Sequence, residues 1–132
     1  MRGYIAITPE ELTELVANGQ IEIDSAFIPT VKFKAANPDL GEEESEYILS
    51  LLATDDSNSF QGDSAKFTFA LALDLEKSQL GEEVEFEVKL ISPVKFAQVD
   101  CLFVGDVSSE ADELTWYAAQ EISAQLPFWQ AI

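Results

Sequence analysis

Strict period-two alternation over residues 66–75 and 83–90 is the feature that most narrows the folds open to this chain. In KFTFALALDL, Phe67, Phe69, Leu71, Leu73 and Leu75 fall on one side of an extended backbone, and Lys66, Thr68, Ala70, Ala72 and Asp74 on the other. In EVEFEVKL, Val84, Phe86, Val88 and Leu90 fall on one side, and Glu83, Glu85, Glu87 and Lys89 on the other. Successive strand side chains point to opposite faces, so both patterns specify half-buried antiparallel strands. The short linker EKSQLGE predicts that the two pair as a hairpin. Phe67, Phe69, Phe86 and Val88 are expected to be buried against a helix, with Glu83, Glu85 and Glu87 facing water.

Helical signals lie upstream. RGYIAIT reads as a first strand, with Tyr4 on the face of Arg2 and Ala6, and Ile5 and Ile7 on the opposite face. TPEELTELVANG follows with Thr8 as N-cap, Pro9 at the first helical position and Glu11 completing a capping box. Leu12, Leu15 and Val16 form its apolar stripe, and Gly19 its stop. SAFIPTVKFKAA is expected to be extended, broken or placed at an edge by Pro29. DLGEEESEYILSLLA predicts a second helix, its acids in the first turns where the helix dipole favours them. Tyr47, Ile48, Leu51 and Leu52 are its expected buried stripe. TDDSNSFQGDS reads as a frayed end or a loop, SPVKFAQV as one helical turn, and DCLFVG as a central strand, apolar on both faces. For ELTWYAAQEI two readings stand: a strand through Tyr117 followed by a helix, or a helix throughout. The strand reading turns Trp116 inward with Leu114 and leaves Tyr117 at the rim; the helix reading reverses them. The fold class expected is α+β. A single mixed sheet of about five to six strands carries two to three helices, the first βαβ unit can be parallel, and residues 1–132 form one domain.

Charge and residue usage exclude several chemistries. Twenty-five acids against seven bases give a formal net charge of −18. That balance repels nucleic-acid backbones and anionic membranes, and suits a basic protein partner. An acidic or salt-adapted surroundings accounts for the same numbers. The sequence contains no histidine, which removes histidine-based catalysis and metal ligation. Cys101, the single cysteine, lies in the apolar run VDCLFVG and reads as a buried, inert thiol. No glycine-rich phosphate loop is present, and Arg2 is the one arginine. The acids Glu42, Glu43, Glu44 and Glu46 could bind a hard cation, but a solvated helix start explains them. No catalytic, cofactor-binding or metal-binding residue is assigned, and no cofactor is expected. No run is long and apolar enough for a membrane helix, and a secretory leader is not recognisable, so a cytoplasmic location is expected.

Three stretches, MRGYIAITPEEL, EEESEYILSLL and ELTWYAAQEI, resemble a group of small actinobacterial proteins known only as a domain of unknown function. The resemblance implies a compact bacterial cytoplasmic domain, and it supplies no activity and no functional residues. The phenylalanine-rich strands and the extreme acidity depart from it. The function expected is a small non-catalytic interaction or regulatory module. Its candidate surface is Glu83, Glu85 and Glu87 with Trp116 and Tyr117. Two alternatives are an acidic decoy that imitates nucleic acid and a carboxylate-based, magnesium-dependent enzyme.

Overall fold

The structure, a computed structural model, describes residues 1–61, 66–106 and 114–130. The predicted strand alternation appears first in β1 (Arg2–Ile7), which leads into α1 (Pro9–Asn18). Thr8 caps that helix: its side chain accepts from the Glu11 N–H at 3.2 Å, and its own N–H donates to the Glu11 carboxylate at 3.1 Å. Gly19 ends it at φ 77°, a left-handed conformation that glycine adopts without steric cost. Then come β2 (Gln20–Ile21), β3 (Ser25–Phe27), α2 (Val31–Ala36), α3 (Glu42–Gln61) and β4 (Phe67–Asp74). The chain continues through β5 (Leu80–Val84), β6 (Glu87–Leu90), β7 (Val94–Lys95), β8 (Val99–Asp106), β9 (Leu114–Ala118) and α4 (Ile122–Gln130).

Seven strands form one sheet in the order β5-β6-β3-β1-β4-β8-β9, and every neighbouring pair is antiparallel. β2 and β7 form a separate two-stranded ribbon. The fold is thus α+β, with a larger sheet than the expected five to six strands and, among the described residues, four α-helices. The sheet is not mixed: β3 returns antiparallel beside β1, because α1 delivers the chain first to the β2 ribbon and not to a parallel crossover.

The sheet is covered on both faces. On the first, Ile5, Ile7, Phe69, Leu71, Leu73, Leu102 and Val104 pack with Leu12 and Leu15 of α1 and with Ile122, Leu126 and Trp129 of α4. Pro127 sits inside α4, yet Ile122, Leu126 and Trp129 keep the one-sided spacing that seats the helix. On the second, Tyr4, Phe27, Ala70, Ala72 and Cys101 pack with Phe33 of α2 and with Leu49 and Ala53 of α3. The alternation in β4 therefore separates two buried faces, large side chains on one and small ones on the other. Its Ala/Thr side is not solvent-facing, as half-burial had implied.

Other expectations are corrected by tertiary context. β4 does not pair with residues 83–90 as a hairpin; it lies between β1 and β8. Residues 83–90 are not one strand but the end of β5, a turn at Glu85 and Phe86 with Glu85 at φ 56°, and β6. That turn reverses the faces: Val88 is buried with the first face, Phe86 packs on the second, and Val84 is exposed. Past Pro29 the chain is helical, not extended, because the Thr30 hydroxyl caps α2 by accepting from the Phe33 N–H at 3.0 Å. The polar run TDDSNSFQ continues α3 to Gln61, while positions 62–64 of the loop expected there lie outside the described residues. The buried stripe of α3 is Leu49, Ser50, Ala53, Thr54 and Ser57, and Tyr47 is exposed. Small residues at that spacing let the helix sit close on the alanine side of β4. SPVKFAQV supplies β7 and a 3-10 turn at Phe96–Gln98. β8 is buried as expected but stands next to the edge strand, not at the centre.

Candidate functional site

Arg2, the chain's one arginine, is the hub of a polar cluster on the second face. It leaves β1 two residues before Tyr4, so both side chains project to the same side. Its Nε donates to the Tyr4 hydroxyl at 3.0 Å and lies 4.0 Å from the Glu46 carboxylate of α3. One terminal nitrogen donates to the Asp100 carboxylate, and the other reaches the Cys101 sulfur at 3.6 Å. The guanidinium carbon stands 5.7 Å from the Tyr4 ring centroid. Burial works against the Arg2 charge, but the bond to Tyr4 and the Asp100 carboxylate outweigh it, and its pKa is raised. Burial pushes the Tyr4 hydroxyl and the Cys101 thiol up as well, against the opposing pull of Arg2. Cys101 is therefore a protonated, buried thiol at neutral pH, in keeping with its apolar sequence setting. Sequence reading had passed over this cluster; the one signal was a lone arginine two positions from a tyrosine.

Two hollows meet at this cluster, and Arg2, Tyr4 and Glu46 line both. One, of about 580 Å³, opens between α2 and the start of α3 and is walled by Phe33, Leu40 and Leu49. The other, of about 610 Å³, runs along the flank of α3 toward β9, past Tyr47, Phe103 and Leu114. Glu43 and Glu46 stand on its α3 side.

The structure separates the expected interaction residues into two distant groups. Glu83, Glu85 and Glu87 do not form a ladder on one face. The Glu83 carboxylate accepts from the Val31 N–H at 3.0 Å, at the start of α2 where the helix dipole favours an anion. Glu85 pairs with Lys32 at 2.6 Å, and Glu87 accepts from the Ser25 hydroxyl at 2.7 Å. These acids tie the β5–β6 hairpin to α2 and β3, which is local architecture. Trp116 and Tyr117 lie on β9, at the far edge of the sheet. The strand reading of that segment is right, but its facing is reversed. Tyr117 opposes Leu102 in the register and packs edge-on against Trp129 at 5.3 Å, on the first face. Trp116 opposes Phe103 on the second face and is 56% exposed. α4 supplies a partner ring on Tyr117's side, whereas α3 does not reach far enough to cover Trp116.

Among the described residues, no set of three or more Asp, Glu or Cys side chains is arranged to hold a metal ion. No helix among them is long and apolar enough to cross a membrane. Residues 1–112 match a family of unknown function (DUF6912). The chain belongs to that family. The match takes in two of the three stretches that carried the resemblance, MRGYIAITPEEL and EEESEYILSLL, and ends before β9 and α4. No curated protein and no solved structure matches the chain.

Proposed function

We propose that this DUF6912 member is a non-catalytic binding module for a basic protein partner. The observation that carries the reading is the uncompensated charge. If every Lys and Arg paired with one acid, 18 carboxylates would still lack a cation, which is the formal net charge of −18. Like charges at that density destabilise a compact domain through self-repulsion, while they steer and hold a cationic partner. The geometry is consistent with binding in place of turnover. Arg2, Tyr4 and Cys101 are tied to one another, and burial keeps the Tyr4 hydroxyl and the Cys101 thiol protonated. Affinity purification from the native host at low salt, followed by mass spectrometry, tests the proposal. A basic protein should co-purify and leave the column as salt is raised through a few tenths molar, where the screening length falls to several ångströms. Co-purification of acidic proteins alone, or a complex indifferent to salt, would overturn it.

A further inference from the structure

The two edges of the seven-stranded sheet are built differently, and the difference concerns pairing. β5, at one end, carries Glu82 and Glu83, and its register with β6 shifts between Leu80 and Glu83. Charge and irregular register are the devices by which natural sheets keep an edge from recruiting another chain. β9, at the other end, has none of them. Its sequence LTWYA is uncharged and lacks proline, and its register with β8 runs unbroken from Gly105↔Leu114 to Cys101↔Ala118. Its outer side is unpaired among the described residues, and Trp116 and Thr115 are exposed along it. Such a row of backbone donors and acceptors beside an exposed aromatic is a template for strand addition.

The geometry points to β9 as the docking edge, accepting an extended Lys- or Arg-bearing segment of the partner protein as an additional strand. This inference rests on the basic-partner reading and names where and how the partner binds. Charge selects the occupant. A second copy would bring another net −18 against the same edge, whereas a basic strand meets Glu43 and Glu46 along the hollow beside Leu114 and Thr115. The one cation in that hollow, Arg2, is already held by Glu46 and Asp100. Alternate side chains of the incoming strand would face Trp116, whose ring suits the stem and charge of a lysine or arginine.

The test uses a blocked synthetic peptide of alternating lysine and valine. A second peptide of the same sequence carries N-methyl groups on alternate backbone nitrogens, which keeps the charge and removes ladder donors. Titrations are followed by tryptophan fluorescence and calorimetry in low salt, with circular dichroism as the folding control. The plain peptide should bind, and the N-methylated one should bind about tenfold or more weakly, a loss of about 1.4 kcal/mol or more. Trp116→Thr, which keeps a good strand former in β9, should weaken binding to a similar degree. Glu82→Gln with Glu83→Gln on the opposite edge should change it little. Equal binding of both peptides, or loss in the β5 variant and not in Trp116→Thr, would overturn docking at β9 and leave the basic-partner reading standing. Absence of binding by either peptide would count against both. A self-association seen in sedimentation and abolished by Trp116→Thr would give the edge to a second copy and overturn the proposal.

Discussion

The two faces of the sheet reach the same burial by opposite means. The first fills the space beneath α1 and α4 with Phe69, Leu71, Leu73, Leu102 and Trp129. The second recesses to Ala70 and Ala72 at 0% exposure, and α3 brings Leu49, Ala53 and Ser57 into the shallow seat. One face depends on volume; the other depends on close approach, which leaves room for polar bonds between helix and sheet. Ser57 shows this most clearly. It is fully buried, its hydroxyl donates to the Ile7 carbonyl at 2.8 Å and accepts from the Phe69 N–H at 3.0 Å, so α3 is pinned to the ends of two adjacent strands. The lesson is that an Ala/Thr side of an alternating strand marks a helix seat as readily as a wet surface.

The largest effect that should separate the faces is a cavity on the first. Phe69→Ala removes a ring that is 1% exposed and stacks edge-on with Trp129 at 5.3 Å, and should cost about 3–5 kcal/mol in denaturant unfolding. On the second face the damaging change runs the other way. Ala70→Leu should cost up to about 3 kcal/mol by forcing α3 off the sheet, whereas adding volume to a water-facing position would cost almost nothing. A wild-type melting temperature for Ala70→Leu would break the comparison. Ser57→Ala should lose about 1–2 kcal/mol, since it leaves a buried N–H and a buried carbonyl each without that partner. Ser57→Thr should not be a rescue if the seat is as close as the alanines imply.

The smallest effect is electrostatic. Burial, then the nearby charges of Glu87 and Asp55, raise the Asp56 pKa. A carboxyl whose folded pKa lies above its unfolded value is ionised at a cost to the fold. That cost is present at neutral pH and disappears as pH falls through the raised pKa and then the ordinary aspartate range. Asp56→Asn should therefore raise the melting temperature slightly at pH 7, and the two proteins should converge in mildly acidic buffer. A gap that widens on acidification would show that the carboxylate is stabilised where it sits.

What was legible in the sequence was local. α1, with its Thr8–Glu11 box and Gly19 stop, is governed by residues within one turn of each other. The face assignments in β1 and β4 follow from their alternation. Illegible were the features set by distant groups. Glu85 is neither Gly nor Asn, so nothing local marks it as a left-handed turn residue. Val31 and Phe33 suit a strand, and only the Thr30 cap and the hollow beneath Phe33 make α2. Trp116 and Tyr117 were correctly divided between faces, but which face was roofed depended on where α3 ends and on Trp129 beside Tyr117. The Arg2 cluster gathers residues from β1, α3 and β8, and no spacing rule connects them.

β1 is the middle strand of the seven, flanked by β3 and β4. It also precedes every other strand of that sheet in the chain, and so is synthesised before them. Its partner ladder runs from Arg2↔Asp74 to Ile7↔Phe69, so the full sheet interior cannot close around it until β4 has been made. The hairpins β5–β6 and β8–β9 are short-range and form quickly, whereas seating β1 requires closure of a long loop and is slow. During synthesis, Tyr4, Ile5 and Ile7 thus belong to an apolar strand whose ladder partners in β4 lie more than sixty residues downstream.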